Sequence, residues 1–184
     1  MADELIDIFD GNNKPTGIRK MKSEAHRDGL YHRAAHVWIY NSKGEVLLQL
    51  RAKDKETDPN RWDISAAGHV GAGEDPVEAA IRETKEELGL SIKKEDLEFI
   101  MIRNLSLNYS STITNREFQY AYLLRFDGDI GTLKAQEEEV QEIKFVSISS
   151  VLKDLKTEPE KYRYVSHNEY WLTMLSLMQK KFVT

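Results

Sequence analysis

The sequence contains no cysteine among its 184 residues. This absence excludes disulfide frameworks, cysteine-ligated zinc, iron–sulfur clusters and thiol nucleophiles. No segment approaches eighteen consecutive apolar residues, so we expect no membrane-spanning helix. The first residues, MADELIDIFDGNNK, lack the basic and apolar regions of a secretory signal. We therefore predict a cytoplasmic protein.

The sequence also lacks an excess of positive charge. Lys and Arg total 26 against 31 Asp and Glu, which gives a formal net charge of −5. A binder of nucleic acid polymers or of anionic membranes through a basic surface is therefore not expected. The four prolines and ten glycines are scattered and mark no linker or repeat. We predict a single domain over residues 1–184.

The hydrophobic pattern predicts short strands mixed with helices. Residues 32–40 contain β-branched and aromatic residues, residues 41–44 supply a turn, and residues 45–51 follow as a partner strand, so residues 32–51 predict a β-hairpin. Because strands and helices do not alternate strictly, the sequence predicts an α+β fold with helices packed on a mixed β-sheet. The other predicted strands are Leu5–Phe9, Trp62–Ser65, Leu97–Arg103, Glu117–Phe126 and Glu142–Val146, and the other predicted helices are Lys20–Arg27, Ser147–Lys156 and His167–Lys180.

The clearest helix follows a loop that contains Gly68, Gly71 and Gly73. Asp75 is a suitable N-cap residue, Pro76 suits the first helical position, and Gly89 suits the position after the last turn. The sequence therefore predicts a helix that begins at Pro76 and ends before Gly89.

Three glutamates lie along one edge of this helix. Glu83, Glu86 and Glu87 have the spacing i, i+3, i+4, which places them within an arc of about 100°. We expect Glu87 to lie nearest the core and Glu86 farthest from it. Like charges at this spacing repel, and a hard divalent cation such as Mg²⁺ or Mn²⁺ would offset that repulsion.

A solvated acidic helix face is the alternative interpretation of these glutamates. The glycine loop before the helix favours the metal interpretation, because its backbone N–H groups and the helix N-terminus could receive an anion. An acidic metal site beside an anion-binding loop would suit a metal–diphosphate substrate.

The stretch GHVGAGEDPVEAAIRETKEELGL, residues 68–90, resembles the Nudix box, whose pattern is G-x5-E-x7-R-E-U-x-E-E-x-G-U. Thr84 departs from the pattern, which usually has an aliphatic residue there, but its methyl group can still pack in the core. The flanking hairpin and later strands also resemble the Nudix fold, a mixed sheet between helices. The matching positions are Gly68, Glu74, Arg82, Glu83, Glu86, Glu87, Gly89 and Leu90.

The resemblance implies a metal-dependent pyrophosphohydrolase that cleaves a phosphoanhydride bond of a small-molecule substrate, either a nucleoside di- or triphosphate or a nucleoside diphosphate linked to another group. Glu83, Glu86 and Glu87 would bind Mg²⁺ or Mn²⁺, with the carbonyl of Ala67 as a further ligand, and Arg82 would orient these glutamates. Glu74 would support Arg82 or the loop. Glu139 and Glu117 match later positions that join the site. The general base is left open among Glu83 and these later glutamates.

A second resemblance is to the branch of the family that includes type I isopentenyl-diphosphate isomerase. In that branch, residues matching His26, His32, His69 and Glu117 bind a divalent metal, although Asn115 stands where a second glutamate is expected. A metal site and ordinary structural roles are both open for these histidines. Basic counterparts of the diphosphate-binding residues are Lys22, Arg51 and Lys55.

Ala67 argues against isomerase chemistry. The isomerase has a proton-transferring cysteine at this position, whereas this chain has no cysteine and a methyl group transfers no proton. Isomerase-like activity and a non-catalytic ligand-binding module are the alternatives to the hydrolase. The resemblance also makes a homodimer conceivable, because dimers are common in the family.

Overall fold

A computed structural model describes residues 3–55, 57–110, 113–136, 138–157, 163–165 and 168–182. These residues form a mixed sheet and four α-helices, so the predicted α+β fold is confirmed. The helices are α1 (Lys22–Asp28), α2 (Pro76–Leu88), α3 (Ile148–Thr157) and α4 (Asn168–Lys180). The strands are β1 (Leu5–Phe9), β2 (Pro15–Met21), β3 (Tyr31–Tyr40), β4 (Glu45–Arg51), β5 (Trp62–Asp63), β6 (Ala66–His69), β7 (Leu97–Asn108), β8 (Thr114–Arg125) and β9 (Val140–Ser147).

Strand β3 lies at the centre of the sheet. It pairs in parallel with β8 along its whole length, from Tyr31 opposite Arg116 to Tyr40 opposite Arg125. Antiparallel neighbours of β3 are β1, β4 and β6. β4 in turn pairs with β5 and β9, and β7 pairs with β8. This arrangement brings β3, β6 and β8 side by side, which positions the candidate site.

The side chains of β3 alternate between two cores. Trp38 and Tyr40 pack with the apolar faces of α3 and α4. Val37 and Ile39 pack on the opposite face of the sheet, with Ala79, Ala80 and Leu88 of α2. The sheet therefore lies between α2 on one side and the α3–α4 pair on the other, as the period-2 alternation of a strand buried on both faces requires.

Helix α2 begins and ends where the sequence predicts. Its N-cap is Asp75, whose N–H donates to the Glu78 side chain at 3.5 Å, and Pro76 follows. The helix ends at Gly89, whose φ of 66° is left-handed and whose N–H donates to the Lys85 carbonyl. A side chain at Gly89 would be strained by this φ and would crowd Lys134.

The structure corrects several local predictions. Strand β2 was not predicted, because most of its side chains are exposed and give no buried alternation. The predicted strand Trp62–Ser65 is instead the short β5, and Gly68 belongs to β6 and not to a loop. The predicted start of the last helix at His167 lies outside the described residues. Among the described residues, none of the helices has both the length and the apolar character needed to cross a bilayer.

Candidate active site

The three box glutamates of α2 differ in burial in the predicted order. Glu87 is 5% exposed, while the Glu83 and Glu86 side chains are 12% and 53% exposed. Glu87 therefore faces the sheet, Glu83 lies at its margin, and Glu86 extends toward solvent.

The buried carboxylate of Glu87 is tied to two strands. Its Oε2 accepts the backbone N–H of Ala67 at 3.1 Å and the side-chain amide of Gln49 at 3.2 Å. Burial and the neighbouring Glu83 raise the pKa of Glu87 to about 8, and burial also raises the pKa of Glu83. Two crowded carboxylates with raised pKa values form a site in which a cation would be stabilised.

Arg82 links the carboxylates and the preceding strand. Its Nη1 contacts Glu83 at 2.6 Å and Glu86 at 3.3 Å, while its Nε donates to Glu74 at 2.9 Å. Its Nη2 donates to the carbonyl of His69 at 2.9 Å. These bonds raise the pKa of Arg82, with the hydrogen bond to Glu74 as the main cause. The side chain predicted to orient the box glutamates thus contacts two of them directly.

The glycine loop does not present the free N–H groups that the sequence led us to expect. The N–H of Gly71 donates to Glu74 at 2.8 Å, and the N–H of Gly73 donates to Asp7 at 2.7 Å. Both donors are therefore already used by carboxylates of the chain. The structure therefore does not support an anion-binding role for Gly71 and Gly73, because Glu74 accepts the first N–H group and Asp7, brought there by strand β1, accepts the second.

Gly68 has a different role, in close packing. A Cβ at this position would overlap the carboxyl group of Glu83. The absence of a side chain allows α2 to bring Glu83 against strand β6.

A second cluster lies where α1 meets the ends of β3, β6 and β8. It contains His26, His32, His69 and Glu117, each offering one ligand atom, and these atoms lie within 4.8 Å of one another. The Nε2 atoms of His32 and His69 lie 3.6 and 3.5 Å from Oε1 of Glu117. The four residues that the second resemblance singled out are thus brought together.

The hydrogen bonds around this cluster leave metal-binding atoms pointing inward. The Nδ1 of His32 bonds the Leu30 carbonyl at 3.0 Å, and the Nδ1 of His69 contacts Glu4 at 3.1 Å. The buried Nε2 atoms of His26 and His32 have no hydrogen-bond partner among the described residues. Buried polar atoms without partners are costly, and a bound cation would satisfy these atoms, so the donor set fits a divalent metal.

The charges in the cluster are strongly coupled. Despite burial, the imidazoles of His32 and His69 beside its carboxylate hold the pKa of Glu117 well below its usual value. Burial opposes the charge on His69, but Glu117 and Glu4 outweigh it and raise the pKa of His69 to about 9. Burial and the neighbouring His69 lower the pKa of His26 to about 4.

The predicted substrate-binding cations already have carboxylate partners. Arg51 contacts Asp63 at 3.0 Å, Lys22 contacts Glu4 at 3.2 Å, and Lys55 pairs with Glu139. Burial and the proximity of Arg51 lower the pKa of Lys55. Carboxylates of the chain therefore hold these cations in place.

Two buried oxygens near Glu87 lack hydrogen-bond partners among the described residues. They are Oε1 of Glu139, whose other oxygen pairs with Lys55, and Oε1 of Gln49, whose amide nitrogen bonds Glu87. Oxygen atoms are the ligands that Mg²⁺ and Mn²⁺ prefer, so the donor set of the box fits such an ion.

Sequence reasoning missed Glu4 and Gln49. Glu4 contacts His69 across 65 positions of the chain, and Gln49 contacts Glu87 across 38. No local spacing signals either contact, since both depend on how β1 and β4 lie against β6 and α2.

Comparisons with known proteins agree with this geometry. The NUDIX domain profile matches residues 30–167. Nudix hydrolase 3 of Arabidopsis thaliana is 38% identical over 176 residues, which are 92% of this chain and 23% of that protein. This chain therefore spans about a quarter of that relative.

Two further comparisons concern the second resemblance and the fold. An isopentenyl-diphosphate Delta-isomerase of Pectobacterium atrosepticum is 31% identical over 155 residues, 84% of this chain and 83% of that one. A crystal structure from Deinococcus radiodurans shares the fold with a TM-score of 0.68 at 21% identity, and the match covers 96% of this chain and 98% of that one. The box residues are arranged around Arg82, and the NUDIX profile matches most of the length of the chain. This chain therefore belongs to the Nudix family.

Proposed function

We propose that this protein is a metal-dependent pyrophosphohydrolase. Its substrate would be a nucleoside di- or triphosphate, or a nucleoside diphosphate linked to another group. The observation that carries the proposal is a pair of neighbouring carboxylates, the buried Glu87 and the largely buried Glu83, together with buried oxygens of Gln49 and Glu139 that have no hydrogen-bond partner among the described residues. Such a set of oxygens is stabilised by a hard cation and suits a metal-bound diphosphate.

A bound Mg²⁺ or Mn²⁺ would supply the electrostatic part of the chemistry, namely neutralisation of the diphosphate and a lower pKa of the attacking water. Glu83, Glu86 and Glu87 would hold the ion, with the carbonyl of Ala67 as a further ligand. Arg82 keeps Glu83 and Glu86 in place through its two contacts.

The chain offers several carboxylates that could accept a proton. Glu83 or one of the later glutamates, Glu139 or Glu117, would accept the proton of the attacking water. Glu139 has one oxygen without a partner among the described residues, which leaves it able to accept a hydrogen bond.

Lys22, Arg51 and Lys55 would bind the diphosphate. Each is paired with a carboxylate of the chain, so substrate phosphates would replace or share these partners. Lys55 lies within electrostatic range of both Arg51 and Lys22, whose charges add to the effect of burial in lowering its pKa. A polyanion between them would relieve that repulsion.

The histidine cluster would be a second metal site of the same enzyme. The second site contains three imidazole nitrogens and one carboxylate, from His26, His32, His69 and Glu117. Such a nitrogen-rich set of ligands suits Mn²⁺ better than Mg²⁺. Ala67 connects the two sites, because its N–H bonds Glu87 while His69 lies two residues farther along β6.

An isomerase-like activity is the second candidate, and the histidine cluster is the observation that favours it. The residue at the position of the proton-transferring cysteine is Ala67, and its methyl group has no exchangeable proton. A non-catalytic ligand-binding module is the third candidate, but it would have no need of the complete set of box glutamates.

A metal-supplemented screen separates these candidates. Wild-type protein would be incubated with Mg²⁺ or Mn²⁺ and with nucleotides, nucleotide sugars, dinucleotides and prenyl diphosphates, and the products would be resolved by mass. We expect phosphoanhydride cleavage, which is lost in Glu86→Gln and Glu87→Gln while both variants stay folded. Retained turnover in both variants would overturn the site assignment, an isomerised prenyl diphosphate would favour the isomerase, and saturable binding without product would favour the binding module.

A further inference from the structure

Glu4 stands at the junction of the N-terminal strand, helix α1 and the loop after β6. Its carbonyl accepts the N–H of Lys22 at 2.8 Å, and the carbonyl of the next residue, Leu5, accepts the N–H of Ala72 at 2.9 Å. Ile6 forms a bridge with Gly71. The backbone at Glu4 is thus fixed from two sides.

The Glu4 carboxylate uses this position to contact the histidine cluster. Its Oε1 lies 3.1 Å from Nδ1 of His69 and 3.2 Å from Nζ of Lys22. The other ring nitrogen of His69, Nε2, faces Glu117 inside the cluster. Glu4 therefore contacts the side of the imidazole that points away from the candidate metal ligands.

This contact determines how the ring can bind a cation. A neutral imidazole binds a metal through one nitrogen while the other carries its proton, and an acceptor at the second nitrogen fixes both the tautomer and the ring orientation. In this cluster the Leu30 carbonyl contacts Nδ1 of His32 in the same way. His69 has a side chain in that role, which can be removed by mutation.

We propose that Glu4 is a positioning residue for a divalent cation at the histidine cluster, because it accepts the Nδ1–H of His69 and turns the Nε2 lone pair toward Glu117. The inference rests on the second metal site of the proposed function. Glu4 lies outside residues 30–167, which match the NUDIX profile. In this proposal, a residue from the N-terminal segment therefore orients a metal-binding histidine of the profiled domain.

The same oxygen of Glu4 also contacts Lys22. A Lys22 variant can therefore distinguish an effect of Glu4 on His69 from simple anchoring of the N-terminal segment. A variant that removes Lys22 leaves the Glu4–His69 contact in place. If Glu4 acts on the metal site through His69, Lys22→Ala should not weaken metal binding, whereas loss of Glu4 should.

The test is a titration of the whole protein with Co²⁺, followed by the visible absorption that reports nitrogen ligation. We expect His69→Ala to lose that signal and Glu4→Ala to bind Co²⁺ about 10–100-fold more weakly than wild type. Glu4→Gln keeps an oxygen acceptor for Nδ1–H, so its loss should be smaller. Glu24→Gln is the matched control. Glu24 lies in helix α1, where its side chain accepts the Met21 N–H, and this variant should bind Co²⁺ as wild type does.

The outcomes distinguish the two levels of the proposal. If wild type and His69→Ala give the same spectrum, the histidine metal site itself is wrong. If His69→Ala loses the signal while Glu4→Ala binds as tightly as wild type, the role of Glu4 is wrong, even if its thermal stability falls. Equal weakening in Glu4→Ala and Lys22→Ala would also overturn the proposal, because it would assign the effect to anchoring of the segment. Glu4→Gln keeps the test valid if Glu4→Ala fails to fold.

Discussion

The carboxyl group of Glu83 lies directly against the backbone of Gly68, in the space that a side chain at position 68 would fill. This contact joins the acidic edge of α2 to strand β6, and β6 carries both Ala67 and His69. The close approach of α2 to β6 therefore requires glycine at position 68.

Gly68→Ala should displace Glu83 and lower the metal-dependent activity strongly. Overpacking of this kind costs about 1–3 kcal/mol, and Glu83 cannot move far without breaking its contact with Arg82. Turnover and thermal unfolding measured together check this prediction. Gly44→Ala is an informative comparison, because Gly44 has open space around it but a positive φ, so backbone strain there should lower stability without loss of specific activity.

Arg82→Lys should lower activity by roughly 10–100-fold, because one ammonium cannot replace a guanidinium that contacts Glu74, Glu83 and the His69 carbonyl together. The measurement is steady-state turnover at saturating metal. Arg125→Lys is the matched control, since Arg125 pairs with Asp127 at the exposed surface. Equal activity in wild type and Arg82→Lys would contradict the positioning role.

Thr84→Val should be tolerated. Thr84 is fully buried in the core-facing stripe of α2, and its hydroxyl donates to the Ala80 carbonyl, one turn back, at 2.7 Å. Valine keeps the shape and loses only a local bond whose acceptor is already used within the helix, so we expect a change in unfolding free energy within about 1 kcal/mol. Denaturant unfolding measures it, and a large loss of activity would show that Thr84 does more than pack.

Lys55→Met should leave the buried Glu139 carboxylate without its partner. The expected cost is about 1–3 kcal/mol in the unfolding free energy, together with weaker substrate binding. The double variant Lys55→Met/Glu139→Gln should regain stability but not activity, because the uncompensated charge is gone while the cation that we propose to bind phosphate remains absent. A double variant with full activity would exclude Lys55 and Glu139 from the site.

The features that could be predicted from the sequence are those fixed by local geometry. Helix α2 has a capping residue, a proline and a terminal glycine at defined positions, and the order of burial of Glu83, Glu86 and Glu87 follows from the pitch of a helix. Strands β3 and β4 were recognisable because they are strongly apolar and joined by a turn. The predicted hairpin is corrected, because among the described residues the two strands pair only at Tyr40 and Val46, beside the turn, and β4 pairs along its length with β9.

The features that could not be predicted depend on contacts between distant segments. Asp7 takes the N–H of Gly73 because β1 docks on the loop after β6, which no spacing in the sequence reveals. Gln49 reaches Glu87 for a similar reason, through the position of β4 beside the helix. Strand β2 was missed because its exposed side chains lack a buried face.

The most direct test of the central claim is to run the reaction in ¹⁸O-labelled water with Mg²⁺ and a mixture of nucleotides and prenyl diphosphates. We predict that wild-type protein places one ¹⁸O atom in a phosphate product and that Glu87→Gln does not, while Glu78→Gln, at the capping position of the same helix, behaves as wild type does. Rearranged prenyl diphosphate without ¹⁸O in any phosphate, or equal labelling by wild type and Glu87→Gln, would contradict the account.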